Sequence, residues 1–282
     1  MKNIKKITAL LLAAILCFAL VACNSGDKET TSAPADSSSS ADGSSAAATD
    51  TSLDDVKKSG KLSIATSPDF PPFESLEGDK VVGIEIDLLE MIAEKLGVEL
   101  EINQMDFDSV LPGIQSGKFT VGVSGITVTE DRQKNADFTD PYFAAAQAIV
   151  VLKDSPIKSK ADLEGKKVSV QTGTTAEEYC MKNGYEVLAF QANNDALSAL
   201  TSGKVDAWVI DNETGIQMSA STNGETVVLD EPMTTEPYSF AFKKGSTSLV
   251  NEINGYIQGW LKDGTIEKIF EKYNVKYVAP EA

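Results

Sequence analysis

Short apolar runs alternating with amphipathic stretches set the rhythm of this chain from position 61 onward. Lys61 to Ala65 alternates polar and apolar residues as a strand does. Ser67-Pro-Asp-Phe-Pro-Pro-Phe73 follows as a rigid loop. Ile84 to Leu96 places Leu88, Met91, Ile92 and Leu96 on one helical face, with Gly97 as the stop. Val98, Leu100 and Ile102 alternate again, a helix is predicted from about Asp108, and Val121–Val123 reads as a short strand. Thr129 to Arg132 then predicts a brief polar turn or helix with acids at its positive end. A second series repeats the order: a strand ending at Gln171, a helix through Met181, the strand Glu186–Phe190, the helix Asp195–Thr201 and the strand Val205–Ile210. The strand Tyr238–Phe242 and amphipathic helices over Leu249–Tyr273 complete the pattern. Apolar strands interleaved with helices predict parallel sheets and an α/β class.

The two series contain a near repeat. Leu111 to Gly125 and Leu197 to Asp211 lie 86 positions apart and share Leu, Ser-Gly-Lys and Val in register. Each unit is the end of a helix, a stopping Gly and a short apolar strand. One ends on a small residue and the other on a carboxylate. Two similar α/β lobes facing one another are the expected arrangement. Ligands of open α/β sheets sit beyond the carboxyl ends of the strands, which places the expected site in the gap between the lobes.

The N-terminus follows different rules. Lys2, Lys5 and Lys6 precede a run from Ile7 to Ala22 that is apolar apart from Thr8. Its sixteen residues fall short of the ~20 a membrane span needs and fit the core of a secretory leader. The run ends in Leu20-Val-Ala-Cys23, which resembles the bacterial lipoprotein signal, in which the Cys is diacylated after the leader (1–22) is removed. Positions 23–52, rich in Ser, Ala, Thr, Gly and Asp, hold nothing large enough to bury and are expected to be a disordered tether. The protein is therefore expected at the extracytoplasmic face of the cell membrane, held by lipid on Cys23. Cys17 leaves with the leader and Cys180 is then alone, so no intramolecular disulfide is expected.

Net charge is −17, and loss of the three leader lysines takes it to about −20. Such a surface repels phosphate and argues against nucleic acid as a partner, while it steers cations inward. The chain has no histidine, and no metal-ligand cluster or P-loop is legible, so no metal or cofactor is expected.

Four blocks resemble those of the bacterial solute-binding proteins of family 3, the polar amino acid receptors of ABC importers. They are Met105–Gln115, Gly125-Ile-Thr-Val-Thr-Glu-Asp-Arg132, Asp137-Phe-Thr-Asp-Pro-Tyr142 and Val170-Gln-Thr-Gly-Thr-Thr175. The resemblance runs from about Leu53 to Val275. It implies a two-lobed periplasmic-binding-protein fold of type II, with crossovers near Phe143–Ile149 and Thr234–Phe240. Lobe 1 is then expected over 53–146 and 236–278, and lobe 2 over 147–235, with a short tail at 279–282. It also implies a monomer that hands a polar L-amino acid, basic or glutamine, to a permease driven by a separate ATPase.

An amino acid zwitterion needs an anion clamp, an ammonium acceptor and a side-chain slot. Arg132 suits the carboxylate, since its planar fork can bond both oxygens. Thr127 adds a hydroxyl, and Gly125 offers a carbonyl to the ammonium. Thr174 and Thr175 open a helix whose N–H groups favour an anion, in two overlapping capping boxes with Glu177 and Glu178. Asp211, at a strand's end, can pair with the ammonium. The resemblance places Phe70 and Phe107 on either side of the ligand's side chain, with Gln171 and Ser67 at the slot's far end. Many relatives carry an acid where this chain has Ser67. The rival readings on the same fold are a dehydratase of cyclohexadienyl acids, which needs a general acid in the cleft, and a sensing domain without transport.

Overall fold

The computed structural model describes residues 49–280. The expected leader, the lipidation site Cys23 and the tether through position 48 lie outside the described residues, as do the last two positions of the tail. Asp50, within the expected tether, accepts hydrogen bonds from the backbone N–H groups of Ser52 and Ser248. The last residues of that segment are therefore tied to the folded body.

Helix α1 (Ser52–Ser59) buries Val56, stops at the left-handed Gly60 and feeds β1 (Lys61–Thr66). The segment read as a rigid loop contains β2 (Asp69–Phe70), which pairs with β3 (Glu74–Glu77) and through it with β4 (Lys80–Val82). Next come α2 (Ile84–Leu96), β5 (Glu99–Gln104), α3 (Phe107–Gln115), β6 (Val121–Gly122), α4 (Glu130–Gln133) and β7 (Ala136–Phe138). After the crossover strand β8 (Phe143–Ala145), lobe 2 holds β9 (Gln147–Leu152), β10 (Lys167–Gln171), α5 (Thr175–Lys182), β11 (Glu186–Phe190), α6 (Asn193–Thr201), β12 (Ala207–Asp211), α7 (Asn212–Ala220) and β13 (Thr226–Val228). The chain returns through β14 (Glu236–Tyr238) to β15 (Ala241–Lys243), α8 (Thr247–Asp263) and α9 (Thr265–Lys272).

Each lobe is built on a five-stranded sheet, β5-β1-β6-β15-β7 in one and β11-β10-β12-β9-β13 in the other. In both, the fourth strand (β15 or β9) alone runs antiparallel to the other four. The repeated sequence units become α3–β6 and α6–β12, which occupy the central strand of each sheet. The crossovers run side by side as a two-stranded ribbon, Phe143 opposite Tyr238 and Ala145 opposite Glu236.

Phe73, fully buried, lies at the junction of lobe 1 and this ribbon. Its ring centroid is 5.1 Å from Tyr238, 5.6 Å from Phe143, 5.7 Å from Phe70 and 6.2 Å from Phe270. In lobe 2 Cys180 packs as a small apolar residue among Val168, Val170 and Val209. Burial pushes its thiol up to about 12, so it is held inert.

Helix α2 is started by backbone rather than by a capping side chain: Ile84 N–H donates to Pro72 O at 3.0 Å and Glu85 N–H to Phe73 O at 3.1 Å. This close approach is possible because position 83 is glycine. Its φ is 147°, and a Cβ there would sit 2.0 Å from the Phe73 carbonyl oxygen. Gly83→Ala is expected to lower unfolding free energy by at least ~2 kcal/mol, through strain and displacement of Phe73. Urea denaturation of the variant against the parent measures it.

Candidate functional site

The turns at the carboxyl ends of β1, β6, β10 and β12 converge on one small cavity between the lobes. Nine of the ten residues expected from sequence line it. Phe70, Phe107, Gly125, Thr127 and Arg132 come from lobe 1, and Gln171, Thr174, Thr175 and Asp211 from lobe 2. Ser124, which sequence reasoning passed over, lines it as well.

Arg132 is the only arginine in the chain. Helix α4 presents it, started by Thr129, whose hydroxyl accepts from the Arg132 N–H at 3.2 Å. The guanidinium donates to Thr127 O at 2.9 Å and, across the cleft, to Gly173 O at 3.1 Å. It also lies over the Phe107 ring, 5.7 Å from the centroid, in cation–π contact. Among the described residues no carboxylate is within salt-bridge distance of it. Burial pulls its pKa below the ordinary value, against the nearby charges of Glu178, Glu236 and Asp211. Its hydrogen bonds to two carbonyls leave its positive charge unpaired.

Asp211 shows the opposite charge in the same cavity. It stands where α7 begins, a position at which aspartate ordinarily caps the helix, yet its side chain makes no capping bond. Instead the Tyr238 hydroxyl and Gln147 Nε2 donate to its two oxygens. Gln147 stands opposite Asp211 in the lobe 2 sheet and Tyr238 lies on the crossover ribbon, so sheet and hinge together aim this carboxylate. Burial, and next the charge of Glu236, push Asp211 up to about 7, against those two hydrogen bonds and Arg132.

Thr174 caps α5, accepting from Glu177 N–H at 3.2 Å and donating to Gln171 O at 2.7 Å. Glu177 returns its carboxylate to Gly173 N–H, one residue before the position a capping box uses. The second expected box, Thr175 with Glu178, does not form. Thr175 is already helical, and its hydroxyl accepts from Gln147 Nε2 at 3.2 Å. Gly125 has φ 54°, and a Cβ on it would meet the Phe70 ring at 2.5 Å. The aromatic wall thus requires a glycine.

Ser67 is the exception among the expected residues. It does not line the cavity; it is buried and donates to Asp69 Oδ1 at 3.0 Å. The acid on this segment is Asp69, two positions on, which meets the slot only through Gln171. Its carboxylate receives Gln171 Nε2 at 3.3 and 3.4 Å and, from lobe 2, Asn193 N–H at 2.7 Å. Gln191 Nε2 reaches Asp108 at 3.3 Å on the same closing edge. With the Arg132–Gly173 bond, these contacts hold the lobes together over the cavity.

The family model of the bacterial extracellular solute-binding proteins, family 3, matches residues 62–276. The chain belongs to this family. Among its relatives is the arginine-binding extracellular protein ArtP of Bacillus subtilis (strain 168), 32% identical over 275 residues, which cover 95% of this chain and 98% of ArtP. The L-cystine-binding protein TcyJ of Escherichia coli (strain K12) is 30% identical over 78% of this chain and 85% of its own. Among solved structures, an ancestral arginine-binding protein bound to arginine is 43% identical with a TM-score of 0.72, over 76% of this chain and 98% of that one. The ancestral amino acid-binding protein AncCDT-1, a precursor of cyclohexadienyl dehydratase, is 37% identical with a TM-score of 0.73, over 78% of this chain and 98% of that one. These neighbours are two-lobed binding proteins, and the two sheets and crossover ribbon of this chain follow the same plan.

The raised pKa of Asp211 carries a sign for closure. Opening the cleft rehydrates the carboxyl and returns it toward its ordinary value, so the closed form binds more protons than the open one. Closure without ligand is therefore favoured at acid pH and lost as pH rises through about 7. X-ray scattering of the ligand-free protein at pH 5.5 and pH 8.5 is expected to show the larger radius of gyration at the higher pH.

Proposed function

We propose that this protein is an extracytoplasmic receptor that captures a polar L-amino acid, basic or glutamine, and delivers it to an ABC import permease. One observation carries the reading. An unpaired guanidinium on lobe 1 and a buried carboxylate on lobe 2 share a single closed cavity, the pattern complementary to an α-carboxylate and an α-ammonium on one carbon.

In this reading Arg132 turns from its two carbonyls to the ligand carboxylate, where a bidentate charged pair replaces neutral acceptors. The Thr127 hydroxyl and the N-terminal turn of α5, behind Thr174 and Thr175, complete the anion site. Asp211 and the Gly125 carbonyl take the ammonium, which draws Asp211 back to its ionised form. Phe70 and Phe107 flank the side chain, and Gln171 with Asp69 behind it meets the polar tail. A carboxylate there favours a cationic tail. The names of two relatives agree: ArtP is called arginine-binding, and the ancestral protein was solved with arginine and with glutamine.

Closure follows because the ligand touches both lobes only when they meet, and that differential affinity shifts the population. Cys23, once lipidated, would anchor the protein, and the tether, with a root-mean-square reach of roughly 30 Å, would let a monomer visit a membrane permease driven by its ATPase. The chain is read as a receptor rather than an enzyme, since relatives that it matches, ArtP and TcyJ, are named as binding proteins.

The test is a set of thermal melts of the refolded protein with each of the twenty L-amino acids. A ligand at 1,000 times its dissociation constant adds ~4 kcal/mol, which raises the midpoint by several degrees or more. The expected responders are arginine, lysine, histidine or glutamine, and no response to any of the twenty overturns the reading. Arg132→Ala is expected to weaken binding at least ~100-fold, the cost of stranding a buried carboxylate, while keeping the parent's melting point without ligand. Calorimetric affinity close to the parent's would remove Arg132 from the site.

A further inference from the structure

Directly behind the cavity lie two carboxyl groups that no role above uses. Glu74 on β3 and Glu85 in the first turn of α2 are both fully buried. Among the described residues neither has a lysine or arginine within salt-bridge distance. Glu85 is well supplied with donors: Gly125 N–H reaches Oε2 at 2.9 Å, and the Tyr142 hydroxyl reaches Oε1. Glu74 is not. Ser124 Oγ donates to its Oε1 at 2.7 Å, and its Oε2 meets no donor among the described residues. The two carboxyls are anchored on consecutive residues, Glu74 on Ser124 and Glu85 on Gly125, and Glu85 is a hydrogen-bonding neighbour of Glu74.

Two buried carboxylates without a cation cannot both keep their charge, and a proton between them resolves this. The surroundings decide where it rests. The N-terminal turn of α2 favours negative charge at Glu85, as do its two donors. Glu74 sits on a strand with one donor. A proton on Glu74 turns a carboxyl with an orphaned acceptor into a donor for its neighbour Glu85.

We propose that Glu74 is a neutral acid that donates its proton to Glu85, and that this carboxyl pair is the positioning element that holds the Ser124–Gly125 turn in its binding shape. Through Gly125 N–H, Glu85 fixes the peptide whose glycine lines the cavity. Through Tyr142, just before β8, it ties the same turn to the crossover ribbon. Neither glutamate lines the cavity, so Glu74 acts through Ser124 and Glu85 through Gly125. Burial, and next the charge of Glu85, raise Glu74 well above the ordinary carboxyl range, which agrees with a retained proton. The other titratable groups facing the pair are Asp69, Tyr142 and Tyr238, and none brings a positive charge.

A raised acid contributes stability below its ordinary pKa that is lost as pH rises through the folded value. Glu74→Gln supplies a permanent N–H to Glu85 and still accepts from Ser124, whereas Glu74→Ala supplies neither. The experiment is a set of ligand-free melts of parent, E74Q and E74A between pH 5 and pH 9. Asp211 is common to all three, so the difference between them reports the pair. The parent is expected to lose midpoint relative to E74Q as pH rises, and E74A to lie below both throughout. A carboxylic-acid band stronger in the infrared spectrum of the parent at pH 7 than in that of E74Q, over what Asp211 gives in both, is the matching signature. Parallel profiles for parent and E74Q, or a band unchanged in E74Q, overturn the shared proton.

The positioning role is read from arginine affinity by calorimetry and rests on the amino acid reading of the cleft. Glu85→Gln is expected to weaken arginine binding ~10-fold or more, the scale of one lost charged hydrogen bond, and E74Q to restore what E74A loses. Arginine affinity unmoved in E74A and E85Q overturns the role. If the parent binds none of the twenty amino acids, that reading fails by itself, and the melts still decide the proton.

Discussion

Carboxylates buried without a cation are the constraint around which this molecule is arranged. Glu74, Glu85, Asp211 and Glu236 are each less than a tenth exposed, and no lysine or arginine of the described residues pairs with any of them. Water solvates a carboxylate far better than a protein interior does, so each needs donors or a proton. Tyrosines supply much of the answer: Tyr142 serves Glu85, and Tyr238 serves Asp211. Both flank or belong to the crossover ribbon, so the hinge and the charges of the cleft are parts of one hydrogen-bonded system. The single arginine sits opposite, held by carbonyls rather than by any of these acids. The interior is electrostatically incomplete in the way a receptor for a small zwitterion requires.

The two sheets make that arrangement possible by repeating one plan. Central strands β6 and β12 deliver a glycine turn on one side and an acid on the other to the same gap. The small-residue side lets backbone approach closely, as the contact between Gly125 and the Phe70 ring shows. The acidic side is supported at the strand's end by Gln147 of the same sheet and Tyr238 of the ribbon. Near-symmetric architecture thus yields two chemically unlike walls, because the residue after each strand differs while the geometry behind it does not.

Much of this was legible in the sequence, and the exceptions share a cause. The strand–helix order, the two lobes and the place of Arg132 follow from periodicity and from four local blocks. The helix α7 was not foreseen, because its buried face is Thr214, Gly215, Met218 and Ser219 and offers no apolar stripe. Ser67 was expected at the end of the slot, but its hydroxyl turns to Asp69 and it does not line the cavity. Side-chain direction in a tight Pro-rich segment is set by pairing with β3, which local pattern does not reveal. Gln147 and Tyr238 escaped notice for a related reason. Their partner Asp211 is 64 and 27 positions away; the antiparallel pairing of β9 with β12 sets Gln147 opposite it, and the ribbon strand β14 brings Tyr238.

Helix α6 carries a consequence of its own. Ala192, before its first turn, offers no capping side chain, and the acceptor for Asn193 N–H comes from Asp69 on the opposite lobe. The end of this helix is therefore finished only when the lobes meet. Each opening leaves the Asn193 amide to solvent and returns that helix terminus to an uncapped state. The exchange of this one backbone hydrogen with deuterium is an intrinsic clock for the cleft, ticking with each opening and requiring no added label.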